Sequence, residues 1–193
     1  MYTHGMPGRR LVALLRAVNV GPTTQVPMAR LREVAVALGY RDVATHGRSG
    51  NLVMTAAGAP AAVAAELSRA ITDAVGFRVP VIVRTRDEVA AIAAEDPFAG
   101  RAEDPAREVV VLLDAPADPD EVRSLLPADP APEAVHIALR HIRVWSPEGV
   151  SRSQVLRALS RRGGPATHGT VRNRRTLAAI LALCDAAGPA PRD

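Results

Sequence analysis

Six residues have the types and spacing to recognise an anion: Arg16, Asn19, Ser49, Asn51, Arg172 and Asn173. A guanidinium offers a fixed fork of donors that matches carboxylate and phosphate oxygens. A hydroxyl and three amides add orienting hydrogen bonds, and backbone N–H groups in a tight turn form a concavity of positive potential. Arg16 falls in an apolar stretch read as a strand over residues 11–20, on a face shared with Val12, Leu14 and Val18. A guanidinium buried there must meet a carboxylate, a ligand or water. The bland alternative is a structural salt bridge. Ser49 and Asn51 flank Gly50 in a turn, with Arg48 beside them to add charge. An ordinary hairpin needs that glycine as well. Thr167, Thr170, Arg172, Asn173, Arg174, Arg175 and Thr176 form a cluster at the approach to the last helical segment. Donors at a helix N-terminus suit phosphate, although Asn173 also reads as a plain N-cap.

Other chemistries find less support. The five histidines show no metal-ligand spacing, so no metal is expected, and no cofactor motif such as GxGxxG or GxxxxGK[ST] occurs. His46 and His168 adjoin the polar clusters and are the histidines to consider as acid or base groups. Ser49 lacks the G-x-S-x-G surroundings of an elbow nucleophile. Tyr2, Tyr40, Phe77, Phe98 and Trp145 are too scattered for a base-stacking platform. The single cysteine, Cys184, sits in an apolar helical segment and reads as an inert buried thiol.

Composition narrows the class. The chain has 193 residues, 48% hydrophobic and 3% aromatic, with one cysteine. That apolar fraction excludes a disordered chain, and one cysteine excludes a disulfide framework. No stretch of about 18 uncharged apolar residues exists to span a bilayer, so a cytoplasmic protein without a membrane partner is expected. All 24 basic residues are arginine, which accounts for a pI near 10.4 at a net charge of only +4. The charge is unevenly spread: residues 1–139 carry a net of −3 and residues 140–193 a net of +7. Such asymmetry steers anions, while a solvated arginine face gives the same count.

Hydrophobic periodicity supplies the elements that must hold these side chains. Strands are expected over 11–20, 42–45, 52–55 and 79–84, and helices over 28–38, 61–75 and 86–94. The β-α-β-β-α-β order is that of a ferredoxin-like unit. After a Pro/Gly-containing boundary at 96–107, a second β-α-β-β-α series begins. Its strands are expected over 109–113, 134–139 and 142–145, and its helices over 118–126 and 151–159. A last helix covers 174–187. The expected fold is therefore α+β: two ferredoxin-like units with antiparallel sheets plus a C-terminal helix, with domains at 10–95 and 107–187. Residues 1–10 read as a frayed tail rather than a leader, because the apolar run after Arg9-Arg10 breaks at Arg16 and no cleavage site follows. Residues 188–193, rich in Pro and Gly, read as a disordered end.

Several blocks together resemble a known family. Leu14-Leu15-Arg16-Ala17-Val18-Asn19-Val20-Gly21, Val26-Pro27-Met28, Gly39-Tyr40, Ser49-Gly50-Asn51, Asp96-Pro97-Phe98 and Thr170-Val171-Arg172-Asn173 are similar to motifs of the bacterial family named domain of unknown function 1697. The resemblance runs over about residues 10–183. It implies an α+β cytosolic protein with ferredoxin-like pieces, and it implies no reaction. The chain departs from the pattern at Ala17 and Pro22, where the family usually has Gly, and at Thr24, where it has Asn. His46 and Arg48 replace a Tyr and a Gln, Arg174 replaces a Trp, and Ala179 stands near a usual Lys. Arg16, Asn19, Ser49, Asn51, Arg172 and Asn173 match.

Three functions follow as expectations. The first is binding of an anionic ligand, whether a nucleotide, a phosphorylated metabolite or nucleic acid. The second is an enzyme acting on a phosphorylated substrate with His46 or His168 as base. The third is a structural or self-association module. Nothing in the sequence specifies an oligomeric state.

Overall fold

The computed structural model describes residues 8–101 and 104–186. The tails expected at either end lie, for residues 1–7 and 187–193, outside the described residues. The chain divides into two compact units: the first comprises residues up to 92 together with those from 179 onward, and the second comprises 93–178.

The first unit runs β1 (Arg9–Leu15), α1 (Met28–Ala37), β2 (Arg41–His46), β3 (Asn51–Ala56), α2 (Pro60–Val75), β4 (Val81–Thr85) and α3 (Arg86–Ala94). Its four strands form one antiparallel sheet in the order β2-β3-β1-β4. Leu11, Ala13 and Leu15 of β1 join Leu52 and Met54 of β3 on the face that α1 and α2 cover. Helix α2 presents Val63, Leu67 and Ile71 at i, i+4 spacing, one stripe of a 3.6-residue period. Each such fully buried aliphatic side chain is worth roughly 1.5–3 kcal/mol. The helix stops at Gly76, whose φ of 80° is the left-handed C-terminal conformation that glycine adopts without cost.

The second unit runs β5 (Glu108–Leu113), α4 (Pro119–Leu125), β6 (Ala134–Ile137), β7 (His141–Trp145), α5 (Gln154–Leu159) and β8 (Gly169–Asn173). Its antiparallel sheet has the order β6-β7-β5-β8, the same strand sequence as the first sheet. Val109, Val111, Ile142 and Val144 face a core completed by Val122, Val155 and Leu159. Asp118 caps α4 as expected, its carboxylate accepting the Asp120 N–H at 2.8 Å with Pro119 in the first turn. Helix α6 (Arg174–Ala186) begins in the second unit and ends in the first. The chain is thus a mixed α+β protein with two four-stranded antiparallel sheets and, among the described residues, six α-helices including the C-terminal one.

Three local expectations are corrected. Strand β1 ends at Leu15 rather than at residue 20. Its neighbours supply no partner further on, since β3 starts opposite Leu14 and β4 opposite Leu15. Ala17 and Asn19 then adopt left-handed φ values of 55° and 57°. The helix expected over 151–159 splits into a 3-10 turn (Val150–Arg152) and α5. Ser153 between them has an extended ψ of 120° and caps α5, accepting the Leu156 N–H at 2.9 Å. Glu133 takes the Gln154 N–H at 2.7 Å and the Ser153 hydroxyl. Residues 169–173, expected as a polar approach to the last helix, form β8, which pairs with β5.

Cys184 on α6 is buried, and burial pushes its thiol above the ordinary range. Native protein should therefore react with Ellman's reagent only as fast as it unfolds, and completely in denaturant. Rapid labelling of the folded protein would contradict that placement.

Candidate functional site

The end of β1 is where the first group of candidate residues meets. Three connections lie at this end of the first sheet: residues 16–27, the turn 47–50 between β2 and β3, and residues 76–80 before β4. Backbone bonds tie them together. The Leu15 N–H donates to the Gly50 carbonyl at 2.9 Å, and the Arg16 N–H donates to the Pro80 carbonyl at 3.0 Å. Asn19 fastens two of the loops with its side chain. Its amide donates to the Val26 carbonyl at 3.1 Å and to the Arg48 carbonyl at 2.6 Å, while its Oδ1 accepts the Val26 N–H at 2.9 Å. Asn51, buried, donates to the His46 carbonyl at 2.9 Å and so closes the hairpin. The two asparagines shape the loops.

Charge at this end is one-sided. The three connections hold Arg16, Arg48 and Arg78 and no Asp or Glu. Arg16 is half-buried, and Arg48, Ser49 and Arg78 are exposed. None of the three guanidinium groups has an ion-pair or hydrogen-bond partner among the described residues. The Thr24 hydroxyl in the same loop is buried with its oxygen unpaired. A buried hydroxyl without a partner costs of order 1–3 kcal/mol. Arg16 is therefore no member of a buried strand face, as the spacing suggested, but the first residue of a loop.

Arg172 and Asn173 belong to the second unit. Arg172 lies on β8 and is buried. It donates to the Thr170 hydroxyl and to the Val171 carbonyl, each at 2.8 Å. Burial lowers its pKa to about 10, so it is still a cation at neutral pH. Asn173 caps α6, accepting the Thr176 N–H at 2.8 Å. His46 ends β2 beside the turn, and His168 is exposed just before β8.

Sequence reasoning missed a charged cluster on the second sheet. Glu108, Arg143 and His141 alternate with core residues of β5 and β7, so they share the sheet face opposite the helices. Glu108 and Arg143 are fully buried and joined as an ion pair, with Arg143 Nε 2.7 Å from Glu108 Oε1. Glu95 accepts from His141 Nε2 at 2.7 Å when that nitrogen carries the proton, and lies 3.8 Å from Arg143 Nη1. Arg174 reaches Glu108 at 3.4 Å and Asp96 at 3.8 Å. The signal was present in the alternation His141-Ile142-Arg143-Val144-Trp145, where each apolar core residue is followed by one that the opposite face must accommodate.

These geometries define a two-sheet α+β protein with an arginine-rich loop cluster on one unit and a buried ionic cluster on the other. The model of the family described as "Protein of unknown function (DUF1697)" matches residues 9–142, and the chain belongs to that family. The fold is similar to that of the conserved bacterial protein SP0830 from Streptococcus pneumoniae, with a TM-score of 0.73 at 24% identity, over 92% of this chain and 99% of that one. No curated protein matches the chain.

Proposed function

We propose that the protein binds an anionic ligand, such as a nucleotide, a phosphorylated metabolite or nucleic acid, at the loop end of its first unit. One observation carries the reading: three arginines without an ion-pair or hydrogen-bond partner among the described residues stand on three hydrogen-bonded loops that contain no acidic residue. Evenly solvated surface arginines would be interspersed with carboxylates, whereas an uncompensated group of guanidinium ions raises the local concentration of anions. Arg16 and the exposed Ser49 are the proposed ligand contacts, with Arg48 and Arg78 adding charge. Asn19 and Asn51 hold the loops in place. Arg172 and Asn173 stand outside this proposal, because their polar groups bond within the second unit. No helix among the described residues is long and apolar enough to cross a membrane, and we place the protein in the cytoplasm.

A thermal-shift screen of nucleoside phosphates, sugar phosphates and short oligonucleotides tests the proposal. A ligand at 100 times its Kd should stabilise by about 2.7 kcal/mol, or roughly 5–11 °C for a chain of this size. Arg16→Ala should abolish that shift while moving the melting temperature of the free protein by little, since its guanidinium has no ion-pair or hydrogen-bond partner among the described residues. If nucleic acid is the ligand, its affinity should fall steeply with salt. A full ligand shift in Arg16→Ala, or no shift from any of these anions, would overturn the reading.

A further inference from the structure

The three arginines of the loop cluster stand in an order that sheet topology fixes. In the first sheet β1 lies between β3 and β4. Residue 16 leaves the end of β1, with the turn 47–50 to one side of it and residues 76–80 to the other. Backbone bonds set the offsets. The Gly50 carbonyl accepts from Leu15 and the Pro80 carbonyl accepts from Arg16. Arg48 and Arg78 each stand two residues before the bonded position. Along the backbone, Arg16 therefore lies between Arg48 and Arg78. Neighbouring strands are about 5 Å apart, so the outer anchors, Gly50 and Pro80, are separated by roughly 10 Å.

Such a row differs from a clamp on one phosphate. A clamp gathers its donors around a point, as a helix N-terminus or a backbone nest does. Here the cations are set side by side across the sheet end, and the outer two are exposed. Like charges in a row repel one another, and no carboxylate in the three connections relieves that repulsion. An extended ligand with regularly spaced negative charges does relieve it. Base stacking has no platform at this place. Phe77, the one aromatic residue of the three connections, is packed against the hydrophobic core.

Resting on the anion-binding reading above, we propose that the ligand is a single nucleic-acid strand, held by its phosphates without regard to base sequence. Successive phosphates meet Arg48, Arg16 and Arg78 in turn, and the counterions released on binding supply much of the affinity.

Fluorescence anisotropy of the full chain tests this over a range of potassium chloride concentrations. The probes are labelled oligonucleotides of about twelve nucleotides, with deoxythymidine triphosphate as competitor. Oligothymidylate and a mixed sequence should bind alike, and about tenfold or more tighter than the triphosphate, because linked phosphates engage together. The logarithm of the binding constant should fall with the logarithm of salt concentration at a slope of about −2, the value for three phosphates of a single strand. Arg48→Ala and Arg78→Ala should each make that slope shallower by about 0.7. Arg161→Ala with Arg162→Ala, a change of two exposed arginines in the second unit, should leave it as it is. Arg16-dependent binding of the triphosphate as tight as that of the oligonucleotide would overturn the strand assignment and leave the anion site standing. Unchanged slopes in Arg48→Ala and Arg78→Ala would also overturn it, as would an equal loss in the Arg161 and Arg162 variant, which would make the attraction one of net charge. Binding of neither ligand would remove both readings.

Discussion

Replacing Glu108 with alanine is expected to destabilise the protein by about 3–5 kcal/mol. That is a fall of roughly 6–20 °C in melting temperature. The carboxylate is fully buried and is the main partner of the equally buried Arg143. Its removal leaves a guanidinium in the interior without its main counter-charge, Glu95 standing farther off at 3.8 Å. The cost of burying a charge far exceeds the value of one ordinary hydrogen bond, so the unpaired cation dominates the outcome. The double variant Glu108→Leu with Arg143→Met removes both charges at similar volume and should recover most of the loss, because well-packed apolar replacements for a buried pair are near neutral or stabilising. Urea unfolding of the two variants beside the wild type measures this directly. A loss below about 1 kcal/mol in Glu108→Ala, the value of an exposed pair, would show that the pair is hydrated in solution.

The second large effect is expected at Gly50. Its φ of 70° is left-handed, and a Cβ there would lie 2.6 Å from the Leu15 Cβ and 2.9 Å from the Val18 Cγ2. Gly50→Ala should cost about 1–2 kcal/mol for the backbone conformation. Overpacking against two buried side chains adds about 1–3 kcal/mol. Gly47 in the same turn is the control: its φ is 61°, but nothing lies within 4 Å of its added Cβ, so Gly47→Ala should show the conformational cost alone. The contact also couples the turn to the end of β1, through the bond from the Leu15 N–H to the Gly50 carbonyl. Gly50→Ala should therefore displace Ser49 and Arg48 relative to Arg16 and weaken any anion bound there, whereas Gly47→Ala should weaken it less. Equal unfolding free energies for the two variants would refute the close approach.

How legible each part was depends on whether the chain's local pattern agrees with its surroundings. Helix α3 and strand β5 followed from periodicity because their apolar stripes face a core, and the capping pair Asp118-Pro119 carries its own local geometry. β8 escaped notice because its pattern is inverted. Thr170 and Arg172 point to the buried side and Val171 is the exposed residue, so an alternation rule reads it as loop. The same rule that singled out Arg16 as a charge on an apolar strand applies to Arg143, and there, unlike at Arg16, it is met. Arg16 stands one residue past the last paired position of β1, while Arg143 is fully buried in the interior of β7.

The sequence by itself determined the α+β class, the order of elements through the first unit, the turn at Ser49-Gly50-Asn51 and the family, since each rests on residues near one another in the chain. It could not assign the duties of individual polar side chains. Asn19, Asn51 and Asn173 are alike as amides, and each is committed to backbone groups, Asn19 of two loops, Asn51 of its hairpin and Asn173 of a helix end. Arg16, Arg48 and Arg78 are far apart in sequence, and only strand pairing brings their loops to one end of a sheet. Glu108 and Arg143 are likewise 35 residues apart. Whether an arginine is a spent partner or an available cation depends on which distant carboxylate the fold sets beside it, and sheet register, through long-range hydrogen bonding, decides that.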